Sequence, residues 1–395
     1  MHRKSPRPPG SAAEGLRATL VTRHWGDSND ERGLATRLVA GALSTRARVT
    51  VIHLADESNS SAHDRDGAFE MRRLLATPAR PLLQSFVLAA LGAGAPERLL
   101  PDLASLDLFS AEGGRSGELA GAIVDSRPDC LVIGGMACPG EWPAGPDARP
   151  RTTIWPLLGD DPRLALRDYR DLLQSADVIC TLGDAEHRRV SELTGPPGSP
   201  AIENIPMPLP VDRATAAHRL PSMTSLDGYV VFLRGLSPGS LPSKDAPDYR
   251  RLRRLVPGLA VADVSQVGWR VFGDGFDIVV PCAPSRVNLW RLMSHALATV
   301  DLRPGGLLGR EVIESLLLGT PVAVPAASWH RAIVVQSAGG VVFSGEAQLA
   351  AGLRTFADPP TRARLAEHGR RWAEDRHSDL QRFTAAVIRT ALALA

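Results

Sequence analysis

The chain is poor in the residues that usually announce a specialised chemistry. It has 4 cysteines in 395 residues (Cys130, Cys138, Cys180 and Cys282), and no Cys-x-x-Cys. That scatter argues against a zinc site or a disulfide scaffold and fits a reducing cytoplasm. The net charge is only +2, from 45 basic and 43 acidic residues. Such a balance lacks the electrostatic footprint of a nucleic-acid binder. Arginine far outnumbers lysine, which is a bias of composition and not a sign of function. No apolar run reaches the length of a membrane span, and peripheral contact with a membrane has no support in the sequence. Met1 to Gly15 is polar and proline-rich and lacks the apolar core of a signal peptide, so a disordered lead is expected there. Gly-x-x-x-x-Gly-Lys-Ser/Thr is missing, which disfavours an NTPase. No Gly-x-Gly-x-x-Gly follows the first apolar run, which weakens a dehydrogenase. Nucleophilic hydrolysis is not expected either.

What is present is a long alternation of strand and helix signals. At 44% hydrophobic and 22% charged, a chain of this length can bury two ordinary cores. Strands are expected at Ala18–Arg23, Arg48–Leu54, Cys130–Ile133, Arg151–Pro156 and Val178–Leu182. Helices are expected at Glu31–Leu43, around Phe86–Leu91, at Arg163–Ser175 and at Asp184–Leu193. Ile202 to Asp212, with its alternating prolines, reads as an interdomain linker. A second array follows, with strands at Tyr229–Leu233, Ala260–Val264, Asp277–Val280, Ala298–Leu302 and Pro321–Pro325. Its helices are expected at Tyr249–Leu255, Asn288–Ala296, Arg310–Leu318, Glu346–Phe356, Pro360–Glu374 and Asp379–Leu394. Alternation of this kind implies parallel sheets joined by crossover helices. The expected fold class is α/β, with two Rossmann-like domains facing across a cleft. The expected division is a lead at 1–15, one domain at 16–205, another at 206–375, and a C-terminal helix at 376–395 that crosses back.

The richest stretch is Asp301-Leu302-Arg303-Pro304-Gly305-Gly306-Leu307-Leu308-Gly309-Arg310-Glu311-Val312-Ile313-Glu314, followed by Gly319-Thr320-Pro321-Val322. A strand runs into a glycine turn and then into a helix. Glycines let the backbone approach a ligand, and the open amides of a helix N-terminus face an anion. The turn also lies at the carboxyl edge of a parallel sheet, where ligands of open α/β folds bind. Arg303 and Arg310 flank it and add charge. Glu314 sits one turn in, within reach of a ribose, while Glu311 reads as a structural helix-start residue. Ser28 to Glu31 has the letters of a capping box.

This stretch resembles the donor-site signature of GT-B glycosyltransferases, specifically the retaining family four. Glu314-Ser315-Leu316-Leu317-Leu318-Gly319-Thr320-Pro321-Val322 matches the second half of its paired-glutamate motif, and Gly309 matches its second glycine. Gly306 stands where the family has its first glutamate. The resemblance implies a GT-B fold and transfer of a sugar from a nucleotide-diphosphate-sugar donor to an acceptor it does not identify. It implies no metal and no resident cofactor. The donor-binding residues it points to are Gly305, Gly306, Leu308, Gly309, Arg310, Arg303 and Glu314, with Arg234 and Lys244 as diphosphate contacts. The loop after the first strand supplies acceptor-side candidates, His24, Asp27 and Arg32. The resemblance leaves the catalytic residue open. Because Gly306 replaces an acid, a GT-B frame that binds but has lost transfer is the second reading.

Overall fold

A computed structural model of the chain describes residues 15–22, 25, 31–56, 70–76, 116–135, 150–157, 167–195, 200–210, 228–233, 249–264, 278–280, 286–303 and 308–393. The described strands form two sheets. The first holds β1 (Arg17–Thr22), β2 (Arg48–Asp56), β3 (Glu70–Ala76), β4 (Cys130–Gly134), β5 (Arg151–Trp155), β6 (Val178–Thr181) and β7 (Ala201–Asn204). Its order is β3-β2-β1-β4-β5-β6-β7. The second holds β8 (Tyr229–Leu233), β9 (Ala260–Val264), β10 (Ile278–Val280), β11 (Ala298–Asp301), β12 (Val322–Pro325) and β13 (Gly340–Phe343). Its order is β10-β9-β8-β11-β12-β13. Every pairing is parallel. Sheets of this kind are covered on both faces, so their inner strands read as unbroken apolar runs. β4 and β8 are buried at every position.

Among the described residues four helices accompany the first sheet: α1 (Glu31–Ser44), α2 (Ser116–Ser126), α3 (Arg167–Ser175) and α4 (Asp184–Thr194). With the second go α5 (Tyr249–Leu255), α6 (Arg286–Ser294), α7 (Arg310–Leu317), α8 (Arg331–Ser337), α9 (Glu346–Ala357) and α10 (Pro359–His377). The last helix, α11 (Leu380–Leu392), opens on Asp379, whose carboxylate accepts the Arg382 N–H at 2.8 Å. It packs on α1, β4 and β5, with Phe383 tilted against Trp155 at a ring separation of 6.3 Å. In both sheets the order reverses beside the first strand, between β1 and β4 and between β8 and β11. Loops part there, and a crevice forms at the carboxyl ends.

The first residues of the expected linker belong to a strand: residues 201–204 are β7, and the described stretch beyond them is packed. Ile205, Met207 and Leu209 are buried at alternate positions, in one apolar cluster with Leu20, Leu182, Leu308 and Val312. The prolines between them hold an extended backbone whose side chains alternate in direction. His377 ties the same segment to the end of α10. Its carbonyl accepts the Leu209 N–H at 2.8 Å, and its Nδ1 donates to the Met207 carbonyl at 2.9 Å. The helical segment expected at Phe86–Leu91 lies outside the described residues.

Candidate functional site

The carboxyl end of β11 carries a buried cluster of charge. Asp301 ends the strand with no exposure. Its Oδ1 accepts Arg303 Nε at 2.7 Å, and its Oδ2 accepts Arg303 Nη2 at 2.7 Å and His330 Nδ1 at 2.9 Å. Arg303 Nη1 then donates to Glu311 Oε2 at 2.8 Å. Glu311 Oε1 accepts Arg286 Nη1 at 2.7 Å. Arg286 Nε reaches Glu314 Oε1 at 3.1 Å, and the same oxygen accepts Arg310 Nε at 2.8 Å. Arg286 Nη2 and Glu314 Oε2 lie 2.6 Å apart as a charge contact without hydrogen-bond geometry. Three carboxylates and three guanidiniums thus alternate in one chain of contacts, drawn from α6, β11, the turn and α7.

Buried ions survive only when paired, and the titration directions follow. Burial alone would raise the Asp301 carboxyl, but the Arg303 charge and the bonds from Arg303 and His330 hold it well below its ordinary range. Glu311 behaves likewise, with burial opposed and overcome by Arg303 and Arg286. Burial would lower Arg286 and Arg303, yet their carboxylate partners raise both.

Local backbone explains why the cluster forms here. Gly309 is the N-cap of α7 at φ 72°, a left-handed conformation. A β-carbon on it would sit 2.8 Å from His330 Cδ2 and 2.9 Å from Ile333 Cδ1. Glycine is therefore required twice, by torsion and by space. Gly319, at φ 74°, ends the helix with another left-handed residue. The open start of α7 is filled from the other half of the molecule. Glu31, at the start of α1, accepts the Arg310 N–H on Oε1 at 2.6 Å and the Leu308 N–H on Oε2 at 3.3 Å. The Glu31 carboxylate thus serves α7, and the Ser28 half of the expected capping box lies outside the described residues.

Several expected site residues meet here. Leu308 and Gly309 form the start of α7. Arg303 and Arg310 flank it, but each guanidinium is spent on carboxylates inside the protein. Glu311, read as a structural residue, is a bridge of the network. Glu314 does not stand at an open surface. It is fully buried. Arg32 is half-buried on α1, next to Glu31, and its carbonyl accepts Thr36 Oγ1 at 2.8 Å. Gly305, Gly306, Arg234, Lys244, His24 and Asp27 lie outside the described residues. Sequence reasoning missed Arg286, Asp301, His330 and the role of Glu31. For Asp301 a signal existed, an acid closing an otherwise apolar strand.

A cleft opens beside the cluster, between Gly183 and Asp184 of the first half and Leu308, His330 and Trp372 of the second. Asp184 latches its floor, accepting from Asn204 at 2.7 Å, Gln336 at 2.9 Å and Arg376 at 3.1 Å. Glu186, one turn into α4, reaches back to the Leu182 N–H at 3.1 Å, a helix-start role. Among the described residues no group of three His, Cys, Asp or Glu is placed to hold a metal, and no helix is long and apolar enough to cross a membrane. Two further motifs lie outside the described residues. Asp64-Arg65-Asp66 has the letters of an Asp-x-Asp metal site. Gly235-Leu236-Ser237-Pro238-Gly239, beyond β8, has those of a nucleophile elbow. That elbow uses the N–H of the residue after the serine for its oxyanion hole, and Pro238 has none.

No family model and no characterised protein matches the chain by sequence. Solved structures do match in three dimensions. Sucrose-phosphate synthase from Thermosynechococcus elongatus superposes with a TM-score of 0.63 at 13% identity, covering 96% of this chain and 100% of that one. The Anabaena protein HepE, in complex with UDP and glucose, gives 0.62 at 13%, covering 96% and 100%. A UDP-forming α,α-trehalose-phosphate synthase from Burkholderia vietnamiensis gives 0.68 at 11%, covering 96% and 98%. These likenesses run over nearly the whole chain and establish its architecture: it has the GT-B fold, two Rossmann-like α/β domains.

Proposed function

We propose that the protein transfers a sugar from a nucleotide-diphosphate-sugar donor to an acceptor hydroxyl, with retention at the anomeric carbon. The observation that carries this reading is the start of α7. Two main-chain N–H groups at the carboxyl edge of the second sheet already hold a carboxylate. An anion is therefore the natural guest there. The fold neighbours add support, since they are sucrose-phosphate and trehalose-phosphate synthases and a protein in complex with UDP and glucose.

In the proposed reaction the bond between the anomeric carbon and the diphosphate breaks, and the diphosphate leaves with the electron pair. The acceptor oxygen bonds to the carbon on the same face, and its proton passes to the departing phosphate. Preorganised N–H groups aimed at the developing charge supply the rate. No side-chain base is needed. In this reading a ribose hydroxyl that bonds Glu314 Oε2 displaces its 2.6 Å charge contact with Arg286 Nη2.

A second reading, a GT-B frame that binds nucleotide without transfer, rests on two observations. Gly306 replaces an acid of the resembled motif, and Arg286, Arg303 and Arg310 are each paired with a carboxylate. One experiment separates the two. Nucleoside diphosphates and their sugars are screened by thermal shift, and the best donor is then assayed for nucleotide release. Stabilisation selective for one base, with release, supports transfer. Stabilisation with the donor left intact supports the binding protein. No stabilisation by any nucleotide contradicts both, because a ligand that binds the native state must raise its melting temperature.

A further inference from the structure

The feature that the proposed reaction leaves unexplained is Glu31. It begins α1, on the first sheet's side, yet both its carboxylate oxygens are spent on amides of the second side. Those amides are the positive end of α7. A second polar group faces the same point. His330 is 3% exposed, and its Nε2 makes no hydrogen bond among the described residues. That atom lies 3.1 Å from where a β-carbon on Gly309 would stand. Its other nitrogen is fixed by Asp301 at 2.9 Å, so the ring cannot turn away to find a partner.

Glu31 is an uneasy resident of this place. Burial raises its pKa, and the neighbouring Glu311 charge raises it further. Arg303, the Arg310 N–H and His330 act in the opposite direction without cancelling the shift. The network beyond it, Asp301, Glu311 and Glu314 against Arg286, Arg303 and Arg310, is already balanced. Ionised Glu31 is therefore a surplus negative charge, held by two main-chain bonds. Both bonds also span the two halves of the molecule.

We propose that the start of α7 is the seat of a ligand diphosphate, and that Glu31 fills it in the free protein as an intramolecular stand-in. This rests on the donor-site reading above. The arriving diphosphate takes the Leu308 and Arg310 amides and expels the carboxylate, because two anions cannot share one pair of donors. Expulsion also cuts the tie between α1 and α7. Glu31 thus sets the affinity for donor and couples donor binding to the relation of the two halves.

The test uses the full chain as native protein, Glu31→Ala and Glu31→Gln, each checked for folding by circular dichroism. Inorganic pyrophosphate and UDP are titrated into each by calorimetry. The expected result is a dissociation constant for pyrophosphate about tenfold lower in Glu31→Ala, equivalent to about 1.4 kcal/mol. Glu31→Gln should fall between, since it keeps the shape and loses the charge. Unchanged or weaker pyrophosphate binding in both variants would overturn the proposal and leave Glu31 a structural cap. Absence of pyrophosphate binding in all three proteins would overturn it equally. Tighter pyrophosphate binding with no response to UDP or any other nucleoside diphosphate would uphold the seat and remove the donor-site reading.

Discussion

The two sheets share one winding but end differently. At the switch point of the first, β1 closes on Thr22 and β4 on Gly134, both uncharged and both buried. A β-carbon on Gly134 would lie 3.3 Å from Thr22 Oγ1, so the two strand ends nearly touch. At the switch point of the second, β11 closes on Asp301, and Arg303, Glu311, Glu314, Arg286 and His330 gather around it. Among the described residues, the same topology therefore carries two uncharged strand ends at the first switch point and a dense, self-balanced charge network at the second. Buried charge is costly to assemble. Among the described residues, the network lies at the second switch point, the rim where α7 offers its amides to an anion.

Breaking the charged rim should have the largest effect. Glu314→Ala leaves Arg286 and Arg310 buried beside the space that balanced them. It should destabilise the protein by about 3–5 kcal/mol, the usual result of removing one partner of a buried pair. Urea denaturation measures it, and a loss under about 1 kcal/mol would mean that the network contributes little to the fold.

Acid should separate the His377 tie from the charged rim. Burial, the leading cause, lowers His377 from 6.5 to about 4. A depressed folded value gives stability that is complete above pH 6.5 and is lost as pH falls towards about 4, where the unfolded chain binds the proton first. The span allows up to about 3 kcal/mol. Asp301 and Glu311 are also depressed, so their loss comes later, below the ordinary carboxylate range. Stability measured against pH should show the two zones, and His377→Gln should flatten the upper one alone. A profile unchanged by that substitution would count against buried, neutral His377 as the tie between α10 and residues 207–209.

Gly309→Ala should come next. It combines a left-handed torsion with a β-carbon inside contact distance of His330, a cost of about 2 kcal/mol. The matching change at the first switch point, Gly134→Ala, meets Thr22 Oγ1 at 3.3 Å, Thr22 Cβ at 3.4 Å and the Val21 carbonyl at 3.6 Å, contacts no closer than 3.3 Å, and should cost under about 1 kcal/mol. Equal losses in the two variants would erase the distinction between the rims.

Most of the fold was legible in the sequence, and the gaps share one cause. The inner strands announce themselves as buried apolar runs, such as Tyr229-Val230-Val231-Phe232-Leu233. The strands that escaped, β3, β7 and β13, all lie at sheet edges. An edge strand is covered on fewer sides, so it tolerates Arg72 and Arg73 in β3 or the half-exposed alternation of β7. The site was legible where backbone dictated residue type: Gly309 and Gly319 had to be glycine, and both could be read. Glu31, Arg286 and His330 could not, because only the packing of separate elements brings them to Asp301. Burial of Glu314 was hidden for the same reason, since a helix start gives no hint of the arginines waiting above it.

The comparison of rims is tested most directly by titrating the nucleoside diphosphate that best stabilises the protein into three proteins: native, Gly309→Ala and Gly134→Ala. If the second rim holds the ligand, Gly309→Ala should weaken binding about tenfold or more, or about 1.4 kcal/mol, while Gly134→Ala leaves the dissociation constant near the native value. The reverse pattern, with binding lost in Gly134→Ala and kept in Gly309→Ala, would place the ligand at the first switch point and contradict the account.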